Sequence, residues 1–178
     1  MRICVFAGSA AGSREAYAQA ARELGAGIAR RGYGLVYGGG AHGAMGLCAT
    51  AALQGGARVE GVLPRFLRDR ELAHPGLTEL RVVATLHERK ALMSGLCDAV
   101  VALPGGMGTL DELFEAVTWR QLGLHEKPIG LLDAAGYYQP LLAFLRRVAR
   151  EGFVAAATVD ALIVRADAES LLDALVAG

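Results

Sequence analysis

The sequence predicts an α/β protein built on a single-domain, doubly wound parallel sheet, and three observations predict it. Short apolar runs of strand length alternate with longer segments of helical spacing along the whole chain. The runs read as buried strands, which need helices on both faces of the sheet. Glycine-rich turns follow three of the runs, after Ala7, Tyr37 and Leu103. In an open doubly wound sheet, loops at the carboxyl ends of strands line the ligand crevice, so all three turns are expected around one pocket.

Arg2–Ala7 is the first expected strand, and Gly8-Ser-Ala-Ala-Gly-Ser13 a small-residue turn with Ser13 as helix N-cap. Arg14–Arg30 places Tyr17, Ala21, Leu24 and Ile28 on one helical face and stops at Gly32. Leu35–Tyr37 is the second strand, 38–43 a second glycine loop, and Ala44–Leu53 a helix ended by Gly55-Gly56. Arg58–Leu63 is a strand stopped at Pro64. Residues 65–78 are irregular and charged, and read by default as a surface loop. Glu79–Ala84 is a strand and His87–Leu96 a short helix. Asp98–Leu103 is the strand before the central turn, and a helix opens near Thr109. Ile129–Leu132, Tyr138–Glu151, Ala161–Val164 and Asp167–Val176 complete the alternation as strand, helix, strand and helix. No repeat, linker or low-complexity segment interrupts it, so residues 1–178 are expected to form one Rossmann-like nucleotide-binding domain.

Composition removes several functions. Formal net charge is zero, which argues against a general nucleic-acid or membrane-surface binder. No apolar run reaches the ~18 residues of a membrane span. The start of the chain reads as a strand rather than a signal peptide, so a cytoplasmic protein is expected. Cys4, Cys48 and Cys97 sit in apolar runs and read as buried reduced thiols. The four histidines show no metal-ligand spacing, and neither a metal nor a cofactor is expected.

The rest of the chain is organised around Pro104-Gly-Gly-Met-Gly-Thr-Leu-Asp-Glu112. A strand ends there, turns on glycines and opens a helix. The first N–H groups of a helix lack partners within it, and its dipole is positive at that end. Gly105, Gly106 and Gly108 leave room for a close ligand, which is the physics of a phosphate cradle. Thr109 adds a hydroxyl, and Glu112 lies one turn in. The same letters also read as a capping box, with Thr109 as N-cap and Glu112 bonding back to it, and that needs no ligand. Neither a Walker A lysine nor a Gly-x-Gly-x-x-Gly fingerprint is present.

Other charged residues can meet this turn. Arg89 and Lys90 lie one strand upstream, and Arg89 shares a helix face with Met93. Arg89 reads equally as an ion-pair partner of Glu88 or Glu112. Glu71 offers a second carboxylate from the irregular segment, or a solvated loop residue. Asp111 and Glu115 read as solvent or subunit contacts, and Trp119 and Met93 as core or interface.

Gly38-Gly-Gly-Ala-His-Gly-Ala-Met-Gly46, His87-Glu-Arg-Lys-Ala-Leu-Met93 and the 104–112 motif strongly resemble the "lonely guy" (LOG) family of cytokinin-activating phosphoribohydrolases. Thr118–Gly123 and Lys127–Leu132 fit too, so the resemblance spans nearly the whole chain. It implies hydrolysis of the N-glycosidic bond of N6-substituted adenosine 5′-monophosphates, or of AMP. It also supports a homodimer, with the Ala44–Leu53 and Leu113–Leu122 helices expected at or near the interface because both carry more apolar surface than one sheet face needs. By resemblance Arg89 and Glu112 are catalytic. The substrate is then held by Glu71, Arg89, Lys90, Gly105, Gly106, Met107, Gly108, Thr109, Leu110, Asp111 and Glu112. Met107 stands where relatives often carry Tyr, which bears on subtype preference. Such proteins have also been labelled lysine decarboxylases. Pyridoxal phosphate needs a Schiff-base lysine, and the chain has only Lys90 and Lys127. The alternative is a nucleotide- or molybdenum-cofactor-binding carrier of related fold that does not hydrolyse.

Overall fold

The structure, a computed structural model, describes residues 1–68 and 73–176. Seven parallel strands form one sheet: β1 (Arg2–Phe6), β2 (Gly34–Tyr37), β3 (Val59–Pro64), β4 (Glu79–Val83), β5 (Ala99–Ala102), β6 (Ile129–Leu132) and β7 (Leu162–Arg165). Their order in space is β4-β3-β2-β1-β5-β6-β7. The chain thus winds outward from β1 in one direction, then returns and winds outward from β5 in the other. Cys4 pairs with Val36 on one side and Val100 on the other. The reversal between β1 and β5 opens a crevice beyond their carboxyl ends.

Successive side chains on β1 point to opposite faces, which sorts the core into two layers. Ile3 and Val5 pack against Leu24 and Ile28 of α1 (Glu15–Arg30), Cys48 and Ala49 of α2 (Gly43–Gln54), and Leu171 and Leu172 of α8 (Ala168–Ala174). Cys4 and Phe6 pack against Met93 of α4 (Leu86–Leu96), Leu113 of α5 (Met107–Gln121) and Leu142 of α6 (Gln139–Arg150). The three cysteines are buried and free. A Cβ on Gly25 would stand 2.1 Å from the Cys48 carbonyl oxygen, so glycine sets the approach of α1 to α2. Ala44, Met45, Cys48, Ala49 and Ala52 of α2 are buried, and Leu47, Ala51 and Leu53 stay half-buried.

Three local expectations are corrected. Arg14, not Ser13, is the N-cap of α1, with extended backbone and no side-chain cap bond. The irregular 65–78 segment includes α3 (Arg65–Arg68) and a bridge from Ala73 to Gly40. A short α7 (Ala156–Asp160) precedes β7, where no helix was read. Among the described residues no helix is long and apolar enough to cross a membrane.

Candidate active site

The turn after β5 hands the chain directly to α5. Gly106 is the N-cap, with extended backbone and no side-chain cap bond, and Met107 is the first helical residue. Thr109 therefore lies inside the first turn, and the capping box read at 109–112 does not form. A reciprocal cap forms instead on α4. There the Thr85 hydroxyl accepts from the Glu88 N–H at 3.1 Å, and the Glu88 carboxylate accepts from the Ala84 N–H at 2.8 Å. Glu88 is thus occupied by capping, and the Arg89 side chain turns to Glu112.

The α5 terminus is left uncapped by side chains yet buried at its sides. Thr109 is 2% exposed, and its Oγ1 has no protein partner. A Cβ at Gly105 would fall 2.1 Å from that oxygen, so only glycine lets the threonine tuck under the turn. Gly106 and Gly108 face open space. Free N–H groups, a positive dipole end and an unpaired hydroxyl make a receptor for an oxyanion.

The turn after β1 and the start of α2 complete the walls, and the turn after β2 lies behind Arg89. Met45 N–H donates to the Gly8 carbonyl at 3.3 Å, which ties the start of α2 to the β1 loop. Gly43 has φ +63°, and a Cβ there would stand 2.3 Å from the Ser9 carbonyl carbon. A Cβ on Gly38 would stand 1.9 Å from Arg89 Nη2, so only glycine lets the end of the guanidinium reach the β2 turn. The resulting cleft of about 210 Å³ is lined by Ser9, Met45, Arg89, Gly106, Thr109 and Glu112 among others.

Arg89 and Glu112 face each other across this cleft. Arg89 Nη2 lies 3.7 Å from Glu112 Oε1, an ion pair too long for a hydrogen bond, and each side chain is only 11% exposed. Arg89 Nε is buried without a partner. Burial pushes the Glu112 carboxyl up to about 7, against the pull of Arg89 and with a further push from Asp111. Burial therefore outweighs the single cation, and the carboxyl titrates near neutrality, the range suited to a general base.

Several predicted residues are placed elsewhere. Lys90 Nζ is ion-paired to Asp111 at 3.0 Å and Glu115 at 3.2 Å, so it braces α4 to α5 beside the cleft rather than lining it. Asp111 is correspondingly committed to Lys90. Leu110 packs against the α5-side core. Met107 and Gly108 line the cleft mouth, with Met107 83% exposed. Gly105 underlies the turn, and its carbonyl accepts from Tyr137 Oη at 2.6 Å. Glu71 lies outside the described residues. Sequence reading missed Met45 and Tyr137; the only signal for Tyr137 was its place just after the carboxyl end of β6. Among the described residues no group of three or more His, Cys, Asp or Glu side chains is arranged to hold a metal ion.

A family model described as "Possible lysine decarboxylase" matches residues 45–175. The chain is 48% identical over 171 residues to a probable cytokinin riboside 5′-monophosphate phosphoribohydrolase of Oryza sativa subsp. japonica, covering 96% of this chain and 77% of that protein. It is 46% identical over 174 residues to a cytokinin riboside 5′-monophosphate phosphoribohydrolase of Arabidopsis thaliana, covering 98% and 82%. Among solved structures, the molybdenum cofactor carrier protein from Chlamydomonas reinhardtii aligns with a TM-score of 0.75 at 24% identity, covering 99% of this chain and 98% of that one. At that identity the likeness is one of fold.

Proposed function

The chain belongs to the LOG family of cytokinin riboside 5′-monophosphate phosphoribohydrolases, and from that premise we propose how its cleft carries out the family's reaction. The substrate is an N6-substituted adenosine 5′-monophosphate, or AMP itself, and the products are the free base and ribose 5-phosphate. The 5′-phosphate rests on the N–H groups of Gly106–Thr109 and the Thr109 hydroxyl. That places the ribose one helical turn in, beside Glu112. As the bond from C1′ to the base nitrogen breaks, positive charge develops on the sugar. The Glu112 carboxylate stabilises that charge and takes a proton from the water whose oxygen bonds to C1′, while the departing base nitrogen gains a proton, so that one water is consumed. Arg89, held against Gly38 and short of a hydrogen bond to Glu112, orients the phosphate or ribose with its unpaired N–H groups.

The observation that carries this reading is the unsatisfied pair. A buried carboxyl near neutrality and a buried guanidinium with a free Nε face one cleft whose floor is an uncapped helix terminus. In a finished apolar core such groups are paired. The decarboxylase description fits poorly, because both lysines are engaged: Lys90 with Asp111 and Glu115, Lys127 with the Ser94 carbonyl. The test is to incubate pure protein with AMP and with adenosine and to measure free adenine. AMP is cleaved and adenosine barely; comparable efficiency on the nucleoside would remove the 104–109 turn from its role.

A homodimer is part of the same proposal. Its interface uses the half-buried Leu47 and Leu53 side of α2 and the outer side and end of α5, where Phe114, Leu122 and Leu124 are exposed. Light scattering at micromolar protein gives a dimer mass on this reading and a monomer mass against it. The cytoplasm is the proposed compartment, since three free thiols suit a reducing environment.

A further inference from the structure

The peptide that joins Gly105 to Gly106 has a fixed direction because of a residue outside every glycine motif. Tyr137 Oη donates to the Gly105 carbonyl at 2.6 Å. In a trans peptide the C=O and the following N–H point in opposite directions. Gly106 lines two clefts, one with Tyr137 and one with Arg89 and Glu112; holding the Gly105 oxygen toward Tyr137 turns the Gly106 N–H away from the first and so to the side of the second. We infer that Tyr137 is a positioning residue, which keeps the Gly106 N–H aimed at the substrate's 5′-phosphate by preventing rotation of this peptide. The inference rests on the phosphate assignment made above.

The fold presents Tyr137 for this purpose from the β6 side. The chain leaves β6 through Asp133, whose carboxylate accepts from the Tyr138 N–H at 2.6 Å and from the Gln139 side chain. Ala135 then takes φ +52°, a left-handed conformation that its Cβ disfavours, and Gly136 takes φ +73°. This turn delivers Tyr137 over the β5–α5 turn. Tyr17 of α1 packs edge-on against the ring at 5.6 Å, and Tyr138 does so at 5.1 Å. A glycine-rich turn has few steric barriers of its own, so the orientation of its peptides depends on such external bonds.

The neighbouring residue supplies a matched control. Tyr138 Oη donates to the Leu103 carbonyl, also at 2.6 Å. The residue after Leu103 is Pro104, which has no N–H. Both tyrosines thus hold a carbonyl of the same turn, but only Tyr137 sets the direction of a donor.

The experiment measures kcat and KM for AMP, and kcat/KM for adenosine, in Tyr137→Phe and Tyr138→Phe, with unfolding midpoints. Tyr137→Phe should raise the KM for AMP about tenfold, the scale of one hydrogen bond to an anion. It should leave kcat/KM for adenosine near wild type, so the preference for the phosphorylated substrate shrinks about tenfold. Tyr138→Phe should lower the unfolding midpoint and keep the preference. An unchanged preference in Tyr137→Phe, or equal losses on AMP and adenosine, overturns the inference while leaving the phosphate assignment intact. Absence of any AMP preference in the wild type overturns the phosphate assignment itself. A second measurement follows the Gly106 amide by NMR in wild-type protein titrated with inorganic phosphate. It should move on binding, and a Gly106 amide that stays still while neighbouring amides move overturns the inference even if Tyr137→Phe does not fold.

Discussion

Among the described residues, Glu60 and Glu112 both have largely buried side chains, and their carboxyls are shifted in opposite directions. Glu60, on β3 near the sheet edge, is 4% exposed. Its Oε1 accepts from Arg58 Nε at 3.0 Å and its Oε2 from Arg81 Nη2 at 3.2 Å. Burial pushes its carboxyl up, but Arg58 and then Arg81 outweigh burial and hold it below the usual carboxylate range. Glu112 has one guanidinium, at 3.7 Å, and burial wins. The difference lies in how many partners each oxygen has. Glu60 has a cation on each oxygen, and through Arg81 it fastens β3 to β4. Glu112 is left short of partners, which costs stability and leaves it free to meet a ligand. Buried charge alone therefore does not mark the site; buried charge left incompletely paired does.

The comparison can be broken in four ways, taken here from the largest expected effect. Arg89→Ala should lower kcat/KM for AMP about a thousandfold, because the nucleotide loses its orienting cation as well as a charge beside the reacting sugar. Both kcat and KM should change, and a change in KM alone would reduce Arg89 to binding. Glu112→Gln should lower kcat about a hundredfold or more while AMP binding survives, since the backbone cradle is untouched. Isothermal titration with AMP checks the binding half.

The third effect falls on the other glutamate. Glu60→Gln should lower the denaturation midpoint, since Arg58 and Arg81 lose a charged partner, and should leave kcat alone. The contribution of wild-type Glu60 is present above its unfolded-state pKa and is lost as pH falls through its depressed folded value. Denaturant midpoints for Glu60→Gln and wild type should thus converge on acidification. The smallest effect has the opposite sign. A carboxyl raised to about 7 favours the folded state at low pH, and that contribution is lost as pH rises through about 7. Glu112→Gln should therefore be more stable than wild type above neutrality, by about 2 kcal/mol, with the gap closing on acidification. A variant that is less stable at alkaline pH would show that the carboxylate is satisfied after all.

Much of this was legible in the sequence because it rests on backbone chemistry. Strand and helix periods gave the layers, and of the turns marked by glycines after Ala7, Tyr37 and Leu103, the first and third line one cleft while the second backs it behind Arg89. What escaped depends on side-chain direction between distant segments. Thr109 followed by Glu112 has the letters of a capping box, and so does Thr85 followed by Glu88; only the second pair caps a helix, since Gly106 already opens α5. Lys90 beside Arg89 looks like shared charge, but adjacent residues on a helix point apart, and Lys90 meets Asp111 and Glu115. That Gly38 leaves room for the Arg89 guanidinium, and that Tyr137 reaches Gly105, are contacts between distant segments that no local pattern encodes.

The most direct test of the central claim, that Glu112 is kept under-paired in order to act, is the pH dependence of kcat/KM for AMP in wild type and Glu112→Gln. The carboxylate must be ionised to stabilise the developing cation and to accept the proton from water. Wild-type kcat/KM should therefore fall as pH drops through about 7, the value to which burial raises this group. The phosphate of AMP titrates near ~6 and contributes its own limb in both proteins, so the comparison isolates the enzyme's group. The account predicts that the limb near 7 disappears from the residual activity of Glu112→Gln. A limb that persists unchanged in that variant, or a wild-type profile that stays flat through neutrality, would contradict it.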